Sequence, residues 1–406
     1  MNYGNLTILA LFVFAYSAVS GRADRTPING ALVYTLFGLA LGAHGLGLLE
    51  LSVESEGLRT LAELTLALVL FTDAANADLS VLRQTIKVPR RLLLVGLPLT
   101  IILGFLCGVL LFDDLGLFEI AVLATMLAPT DAALGKAVVT NPRVPPFIRQ
   151  GLSAESGLND GICVPILLLF LALASGAATA ETTPMLALKL VLEELGIGLL
   201  VGLGLTLIMA YLLRGASHRG WVEESWLQLP VVTMALGCFA AAQWLGGSGF
   251  IAAFSGGLLF GRLAQKEKPE LLMAAEGTGD TLALLTWVVF GAGVVGNYFQ
   301  LINWQVICYA ALSLTVVRML PVYLCLAGTG PTRAEKLFIG WFGPRGLASI
   351  VFGVIVLNEN LPGTATISLT VVCTILLSVV AHGLTANPLA ARLASKESSE
   401  GRPPTG

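Results

Sequence analysis

The chain has 406 residues, of which 56% are hydrophobic and only 12% charged, whereas a soluble domain carries about a quarter charged residues. This balance excludes water as the main solvent of the folded chain, whereas the formal net charge of −3 says little, because the distribution of charge matters more than its sum. Nucleic acid is not an expected partner. The composition is typical of an integral membrane protein surrounded by lipid.

Apolar runs of about 20 residues, the length that spans a hydrocarbon core of roughly 30 Å, recur along nearly the whole sequence. They predict an all-α polytopic membrane protein with about thirteen transmembrane helices. We expect helix centres near residues 12, 39, 67, 102, 128, 161, 201, 235, 256, 288, 316, 346 and 375. Residues 1–386 are therefore predicted to form one transmembrane domain, and the polar stretch 387–406 a short, disordered cytoplasmic tail.

The distribution of basic residues gives an independent check on this count, because lysine and arginine collect in cytoplasmic loops. With thirteen crossings, all but four of the 23 lysines and arginines fall in alternate loops or in the tail. Two exceptions, Arg59 and Lys189, lie in the opposite loops. The alternation predicts a plasma-membrane protein with its amino terminus outside and its carboxyl terminus in the cytoplasm.

Arg318 and Arg345 are the other two exceptions, and both lie within apolar segments. An unpaired charge in the bilayer costs at least ~2.5 kcal/mol even on insertion scales, so both guanidiniums require buried partners. An arginine near a helix end can instead extend its side chain to the membrane surface. That alternative stays open for Arg318 and is weaker for Arg345, which stands between Gly-Pro and Gly.

The fifth and twelfth predicted helices each carry a proline beside a charged residue in mid-membrane, in Leu127-Ala-Pro-Thr-Asp131 and Gly343-Pro-Arg-Gly346. Proline removes a backbone donor and clashes with the preceding turn, so we expect both helices to be unwound there. Because they are seven apart in order, they cross the membrane in opposite directions, as inverted repeats with two crossed, unwound helices require. The alternative is that each proline only kinks its helix.

The sixth segment contains Glu155-Ser-Gly-Leu-Asn-Asp160-Gly161, which places acidic, amide and hydroxyl groups in one apolar span. Gly157 and Gly161 are four residues apart and allow another helix backbone to come close, and the fifth helix is the expected neighbour. Residues four apart share a helix face, which puts Ser156 near Asp160 and Glu155 near Asn159. The side chains expected to line one oxygen-rich pocket are Thr130, Asp131, Ser156 and Asp160, with Glu155 and Asn159 beside them.

The charges of this predicted pocket do not cancel. Three carboxylates, on Asp131, Glu155 and Asp160, face the two guanidiniums and leave one net negative charge. Pairing of Glu155 and Asp160 with the two arginines would explain their burial but would leave one acid over. Oxygen ligands suit a hard cation, so one monovalent cation or one proton would neutralise the surplus.

We interpret Asp160 as the carboxylate for which the cation and the proton compete. A neutralised site can cross the apolar barrier, whereas an empty, charged site meets a penalty. The pattern therefore predicts a transporter rather than an enzyme, without a cofactor. It would exchange Na⁺, or Li⁺, for H⁺ by alternating access.

At these residues the sequence resembles the NhaP-type sodium/proton antiporters of the cation:proton antiporter superfamily, on Ala128-Pro-Thr-Asp131, Glu155-Ser-Gly-Leu-Asn-Asp160-Gly161 and Gly343-Pro-Arg-Gly346. The resemblance implies a homodimer whose mobile core shifts like an elevator against a static interface domain. The Asn159-Asp160 pair implies electroneutral exchange of one cation per proton.

The same resemblance implies a role for each charged or polar side chain of the motifs. Asp160 would bind the cation or the proton, with Ser156 and Thr130 as further cation ligands. Glu155 would pair with Arg318. Asp131 and Arg345 would offset the dipoles of the crossed half-helices.

Three other functions compete with Na⁺/H⁺ exchange. A K⁺/H⁺ antiporter would have the same motifs, because the pocket radius that selects the ion cannot be read from sequence. A sodium-coupled symporter for an organic solute can share an inverted-repeat fold. An intramembrane aspartyl protease also needs two membrane carboxylates, but the chain has no Gly-x-Gly-Asp motif and the two arginines would neutralise such a pair.

Four titratable residues in or beside the spans have no role that the sequence assigns. Asp73 and Asp78 stand near the end of the third segment, where a loop or funnel contact is the simpler interpretation. Histidine as a residue type can change charge near neutral pH, so a pH response is one conceivable role for His44 and His382. Packing or an interface position is the expected role of both histidines.

Overall fold

The structure is a computed structural model, and it describes residues 3–23, 29–49, 56–77, 87–131, 134–179, 184–223, 226–227, 229–264, 268–296 and 301–399. Asp78 and residues 400–406 lie outside this part of the chain. The helices, in chain order, are α1 (Tyr3–Ala23), α2 (Gly30–Leu41), α3 (Glu56–Asn76), α4 (Lys87–Leu111), α5 (Leu117–Met126), α6 (Pro146–Thr179), α7 (Pro184–His218), α8 (Leu229–Trp244), α9 (Gly249–Ala264), α10 (Lys268–Val289), α11 (Trp304–Cys325), α12 in two halves (α12a, Arg333–Trp341; α12b, Leu347–Asn358) and α13 (Thr364–Ser399).

These segments confirm the predicted all-helical plan. Seven of the described helices are long and apolar enough to cross a membrane, and five further apolar helices have 10–17 residues. Two of the shorter ones, α5 and α12b, are the segments in which the sequence predicts a break. A short helix, Lys136–Val139, follows the break in α5, and π-helical turns at Leu92–Gly96 and Phe290–Val295 interrupt α4 and extend α10.

The closest packing divides the helices into two groups. The first group consists of α4, α5, α6, α11, α12 and α13, and the second of α2, α3, α7, α8, α9 and α10. Within the second group, α9 packs on α3 almost backbone to backbone, because a side chain at Gly257 or Gly261 would collide with the main chain of Phe71 or Ala75. The groups touch chiefly where α6 meets α3, α7 and α9 and where α12b meets α3.

The carboxyl-terminal region corrects one expectation. Residues 387–399 are not a disordered tail, because α13 continues to Ser399 and includes Pro388. Ala390 and Leu393 are buried against a cluster that contains Phe338 of α12a. One face of the helix is apolar throughout this stretch. The stretch as a whole is polar in composition, so its composition does not reveal that face.

Candidate functional site

The two predicted breaks are present, and they are bonded to each other. α5 ends at Met126, and residues Ala128 to Asp131 are not helical. α12a ends at Trp341, and α12b begins only at Leu347. The Asp131 N–H donates a hydrogen bond of 2.8 Å to the Pro344 carbonyl, so the two unwound segments cross in direct contact.

The charged residue of each break caps the helix end of the other. The Asp131 carboxylate accepts a hydrogen bond of 2.7 Å from the Leu347 N–H, at the amino terminus of α12b. The Arg345 guanidinium donates to the carbonyls of Ala128 and Pro129, at 2.7 and 2.9 Å, beyond the carboxyl end of α5. A helix amino terminus favours negative charge and a carboxyl terminus favours positive charge. The arrangement is the one that the sequence predicts.

Glycine is required at two positions of the twelfth-helix break. A Cβ atom at Gly346 would collide with the Asp131 carboxylate, and one at Gly343 would collide with the Arg318 guanidinium. Both carboxylate and guanidinium are held by hydrogen bonds to other groups. The break therefore packs its backbone directly on charged side chains, where any larger residue would displace them.

The Arg318 guanidinium forms a bidentate ion pair with Glu155, at 2.6 and 2.7 Å, and both side chains are 1% exposed. This contact confirms the expected pair and excludes an arginine that extends to the membrane surface. The two charge-assisted hydrogen bonds compensate both buried charges, and Arg318 Nε is buried without a hydrogen-bond partner among the described residues. Glu155 and Arg318 thus cancel each other's charge.

The expected polar pocket lies between the α5 break and α6. The hydroxyl oxygens of Thr130 and Ser156 are 3.0 Å apart, and Asn159 Nδ2 donates to Thr130 Oγ1 at 2.7 Å. Asp160 stands one residue further along α6, only 7% exposed. The structure brings together the six candidate residues Thr130, Asp131, Glu155, Ser156, Asn159 and Asp160.

Two oxygen atoms of this pocket are buried without a hydrogen-bond partner among the described residues, Asn159 Oδ1 and Asp160 Oδ1. The ion pairs of the described residues do not include Asp160. The alternative that Asp160 merely pairs with an arginine is therefore wrong, because Arg345 donates to carbonyls instead. Buried acceptors without donors are rare in folded proteins and require an explanation such as a ligand.

The sequence reasoning missed the place of Asp73. α3 brings Asp73 against Gly157 of α6, where a Cβ atom on the glycine would lie 3.8 Å from the Asp73 Cβ. The charges of Asp131 and Asp73 both act on the Asp160 carboxylate. Asp73 is thus a fourth carboxylate beside the predicted pocket. The only local signal was an acidic residue in the last turn of an apolar helix, which does not say which helix it meets.

His382 packs against the twelfth-helix break. Its Nε2 atom lies 2.8 Å from the Trp341 carbonyl, and its Nδ1 atom lies 2.8 Å from the Ser378 carbonyl. The hydroxyl of Ser378 accepts a hydrogen bond of 2.7 Å from the Arg345 N–H. His382 and Ser378 therefore hold the unwound backbone of the twelfth helix against α13, which agrees with the expected packing role.

A family profile and several known proteins match most of this chain. The profile of the family described as "Sodium/hydrogen exchanger, transmembrane" matches residues 8–392. A Na(+)/H(+) antiporter of Schizosaccharomyces pombe is 26% identical over 254 residues, which are 59% of this chain and 54% of that protein. The K(+)/H(+) antiporter NhaP2 of Shewanella sp. (strain MR-4) is 24% identical over 389 residues, 96% of this chain and 66% of that protein. The chain spans about half to two thirds of the length of these curated relatives.

A solved structure shares the fold. The sodium proton antiporter MjNhaP1 of Methanocaldococcus jannaschii, at pH 8, superposes with a TM-score of 0.76 at 22% identity, over 96% of this chain and 98% of that chain. At this identity the likeness concerns the fold alone. The family profile, in contrast, covers both breaks, the whole of α6 and the arginine of α11. This chain therefore belongs to the family of transmembrane sodium/hydrogen exchangers, which are integral membrane transporters.

Proposed function

We propose that this protein is a secondary active antiporter that exchanges Na⁺, or Li⁺, for H⁺ at a site centred on Asp160. The observation that carries the proposal is the buried Asp160 Oδ1 atom, which has no hydrogen-bond partner among the described residues. The bonded hydroxyls of Thr130 and Ser156 belong to the same pocket. The protein needs no resident cofactor for this exchange and carries out no covalent chemistry.

The cation ligands we propose are Asp160, Ser156 and Thr130, with Asn159 Oδ1 as a further oxygen. Asn159 Nδ2 is committed to Thr130, which leaves its Oδ1 atom as the amide's acceptor towards a ligand. Carboxylate, hydroxyl and amide oxygens match the preference of hard cations. The Thr130 and Ser156 hydroxyls can turn their lone pairs to an ion and their protons to another acceptor, because a hydroxyl rotates freely.

The other charges of the site are structural in this proposal. Glu155 and Arg318 neutralise each other, and Asp131 and Arg345 offset the half-helix dipoles. The charges of Asp160 and Asp73 remain, and in this proposal only the charge of Asp160 changes during transport. One Na⁺ or one H⁺ neutralises Asp160 equally, which makes exchange electroneutral and one-to-one.

Obligatory exchange follows from the cost of moving an empty, charged site through an apolar barrier. Asp160 stands on α6, in the first group of helices, and Asp73 stands on α3, in the second group. Movement of the first group against the second would carry Asp160 past Asp73 and change the side from which water reaches it. This is the elevator-like form of alternating access that the resemblance to NhaP-type antiporters implies.

We also propose that the protein works as a homodimer in the plasma membrane and contributes to pH homeostasis. Its amino terminus would lie outside and its carboxyl terminus in the cytoplasm, as the distribution of lysine and arginine predicts. Residues 1–386 would form the transmembrane domain, with core and interface parts interleaved in sequence. Residues 387–406 would lie on the cytoplasmic side, with α13 extending into this region.

K⁺/H⁺ exchange is the second candidate, favoured by one observation. The relatives called K(+)/H(+) antiporter NhaP2 match 96% of this chain, whereas the yeast Na(+)/H(+) antiporter matches 59%. The same ligands would serve both ions, and the difference would lie in the size of the pocket. A symporter for an organic solute has no comparable support.

Everted membrane vesicles loaded with a pH-sensitive dye test the proposal. Addition of Na⁺ should dissipate a respiration-generated pH gradient without any organic solute, and Li⁺ and K⁺ should be compared at equal concentration. Asp160→Ala should abolish this response in protein that still inserts. Asp113→Asn, a change to an exposed acid of the α4–α5 loop, is the matched control. Full activity of Asp160→Ala would contradict the proposed site, and a strict need for an organic solute would favour symport.

A further inference from the structure

The helices around the twelfth-helix break also enclose an apolar groove. The groove lies between α11, α12a and α13 and has a volume of about 320 Å³. Met319, Leu337, Trp341 and Leu389 contribute to its walls, and Arg392 is the charged residue of its lining. A second hollow shares Met319 and Leu337 and continues along α11 from Thr315 to Tyr323, about 12 Å of helix at 1.5 Å per residue.

Three basic side chains lie on the two helices α12a and α13 that help to enclose this groove. Arg392 lines it, and the Lys336 ammonium lies 5.6 Å from the centre of the Tyr323 ring. Arg333 is exposed one helical turn before Lys336, on the same face of α12a. None of the three appears in an ion pair among the described residues. The acid between Arg333 and Lys336, Glu335, is buried and caps Thr332.

We propose that this groove binds one anionic phospholipid of the leaflet that the basic loops face. An acyl chain would lie along Met319 and Leu337, and Arg333, Lys336 and Arg392 would hold the phosphate. Exposed leucines on the same helices, Leu320 and Leu324, face the membrane as well, so a lipid reaches the groove without crossing protein. A wholly apolar surface would need only ordinary lipid. Three cations that form no ion pair with a described side chain favour a negative headgroup instead.

The bound lipid would stabilise the helices that carry the site. Met319 follows Arg318 directly, and Trp341 stands two residues before the Gly343 break. Trp341 is itself tied to α13, because its Nε1 atom donates to Thr385 and its carbonyl faces His382. A ligand that binds only the folded arrangement raises its stability by mass action. This inference requires membrane insertion but not the exchange activity, so the two can fail separately.

Native mass spectrometry of protein purified in detergent and mixed with phosphatidylglycerol or phosphatidylcholine of the same acyl chains tests the inference. We expect one retained phosphatidylglycerol per chain and a raised melting temperature, with weaker retention of phosphatidylcholine. Each basic residue near an anionic headgroup contributes roughly a fivefold gain in binding. Arg333→Gln/Lys336→Gln/Arg392→Gln should therefore reduce retention of the anionic lipid by well over tenfold.

Two further variants make the result decisive. Arg214→Gln/Arg219→Gln/Arg262→Gln removes the same charge from the ends of α7 and α9 and should retain the lipid as the unaltered protein does. Ala334→Trp fills the groove without changing any charge and should also abolish retention. Glycerol 3-phosphate, a headgroup without acyl chains, should not displace the lipid. Equal retention of both lipids, equal loss in both triple variants, or unchanged retention by Ala334→Trp would overturn the inference.

Discussion

Glu155 of α6 and Arg318 of α11 form a bidentate ion pair of 2.6 and 2.7 Å although both side chains are 1% exposed. The pair joins helices that are 163 residues apart in the sequence. It fixes the position of α6, on which the proposed ligands Ser156 and Asp160 stand. In the proposed function the role of this pair is structural, and its removal should have a characteristic signature.

Arg318→Gln should destabilise the protein strongly. Breaking a buried pair leaves one uncompensated charge and costs roughly 3 to 5 kcal/mol. The double variant Glu155→Gln/Arg318→Gln removes both charges and should recover most of that loss in a thermal melt. Arg59→Gln is the control, because it breaks a pair whose arginine is 43% exposed and such pairs contribute about 1 kcal/mol or less. A double variant as unstable as the single one would show that the charges are not paired.

Gly346→Ala should impair both folding and exchange, because its Cβ atom would collide with the Asp131 carboxylate that caps α12b. Displacing that carboxylate removes a charge-assisted hydrogen bond, worth about 1.5 to 3 kcal/mol. Gly353→Ala is the control, because Gly353 lies on the same half-helix and a Cβ atom there would lie 3.9 Å from its nearest atoms. We expect it to leave melting temperature and dye response unchanged. Equal behaviour of the two variants would contradict the crossed capping.

Asp73→Asn should weaken cation binding without preventing insertion. It removes one of the negative charges that act on Asp160, and at an effective dielectric constant of about 20 such a charge contributes roughly 1.4 kcal/mol or more. At a pH where Asp160 is already ionised, the Na⁺ concentration for half-maximal dye response should rise about tenfold. Where Asp160 is mostly protonated, the requirement should change little, because the lost charge favoured Na⁺ and H⁺ alike. Asp113→Asn should not change the requirement at either pH. An unaltered Na⁺ requirement at the higher pH would remove Asp73 from the site.

Competition for one carboxylate also predicts the pH dependence. In the range where Asp160 is mostly protonated, each unit of acidification should raise the Na⁺ concentration for half-maximal exchange roughly tenfold, because one proton must leave for each cation bound. At higher pH the requirement should become constant. Initial rates in vesicles with equal pH on both sides measure this relation. A Na⁺ requirement independent of pH would exclude a shared binding group.

Much of the site could be predicted because charge and proline are costly inside a bilayer. Pro129 and Gly343-Pro-Arg-Gly346 marked the breaks, and the spacing in α6 placed Ser156 and Asp160 together. The partners of Arg345 were harder to predict. A guanidinium in mid-membrane needs hydrogen-bond acceptors, but the sequence does not say whether these are carboxylates or, as observed, the carbonyls of Ala128 and Pro129.

The features that could not be predicted depend on contacts between distant helices. Asp73 lies beside the site because α3 packs on α6 at Gly157, and no local pattern indicates which helix another will meet. The length of α13 was misjudged for a different reason. Leu389, Ala390 and Leu393 lie on one face of the helix and pack on α12a, whereas the composition of the whole stretch is polar.

Proton release on cation binding tests the central claim most directly. Purified protein in a weakly buffered solution with a pH dye, at a pH where Asp160 is mostly protonated, should release about one proton for each Na⁺ bound. Asp160→Asn should release none, while Asp113→Asn should match the unaltered protein. Cation binding without proton release, or undiminished release from Asp160→Asn, would contradict a single carboxylate shared by the two ions.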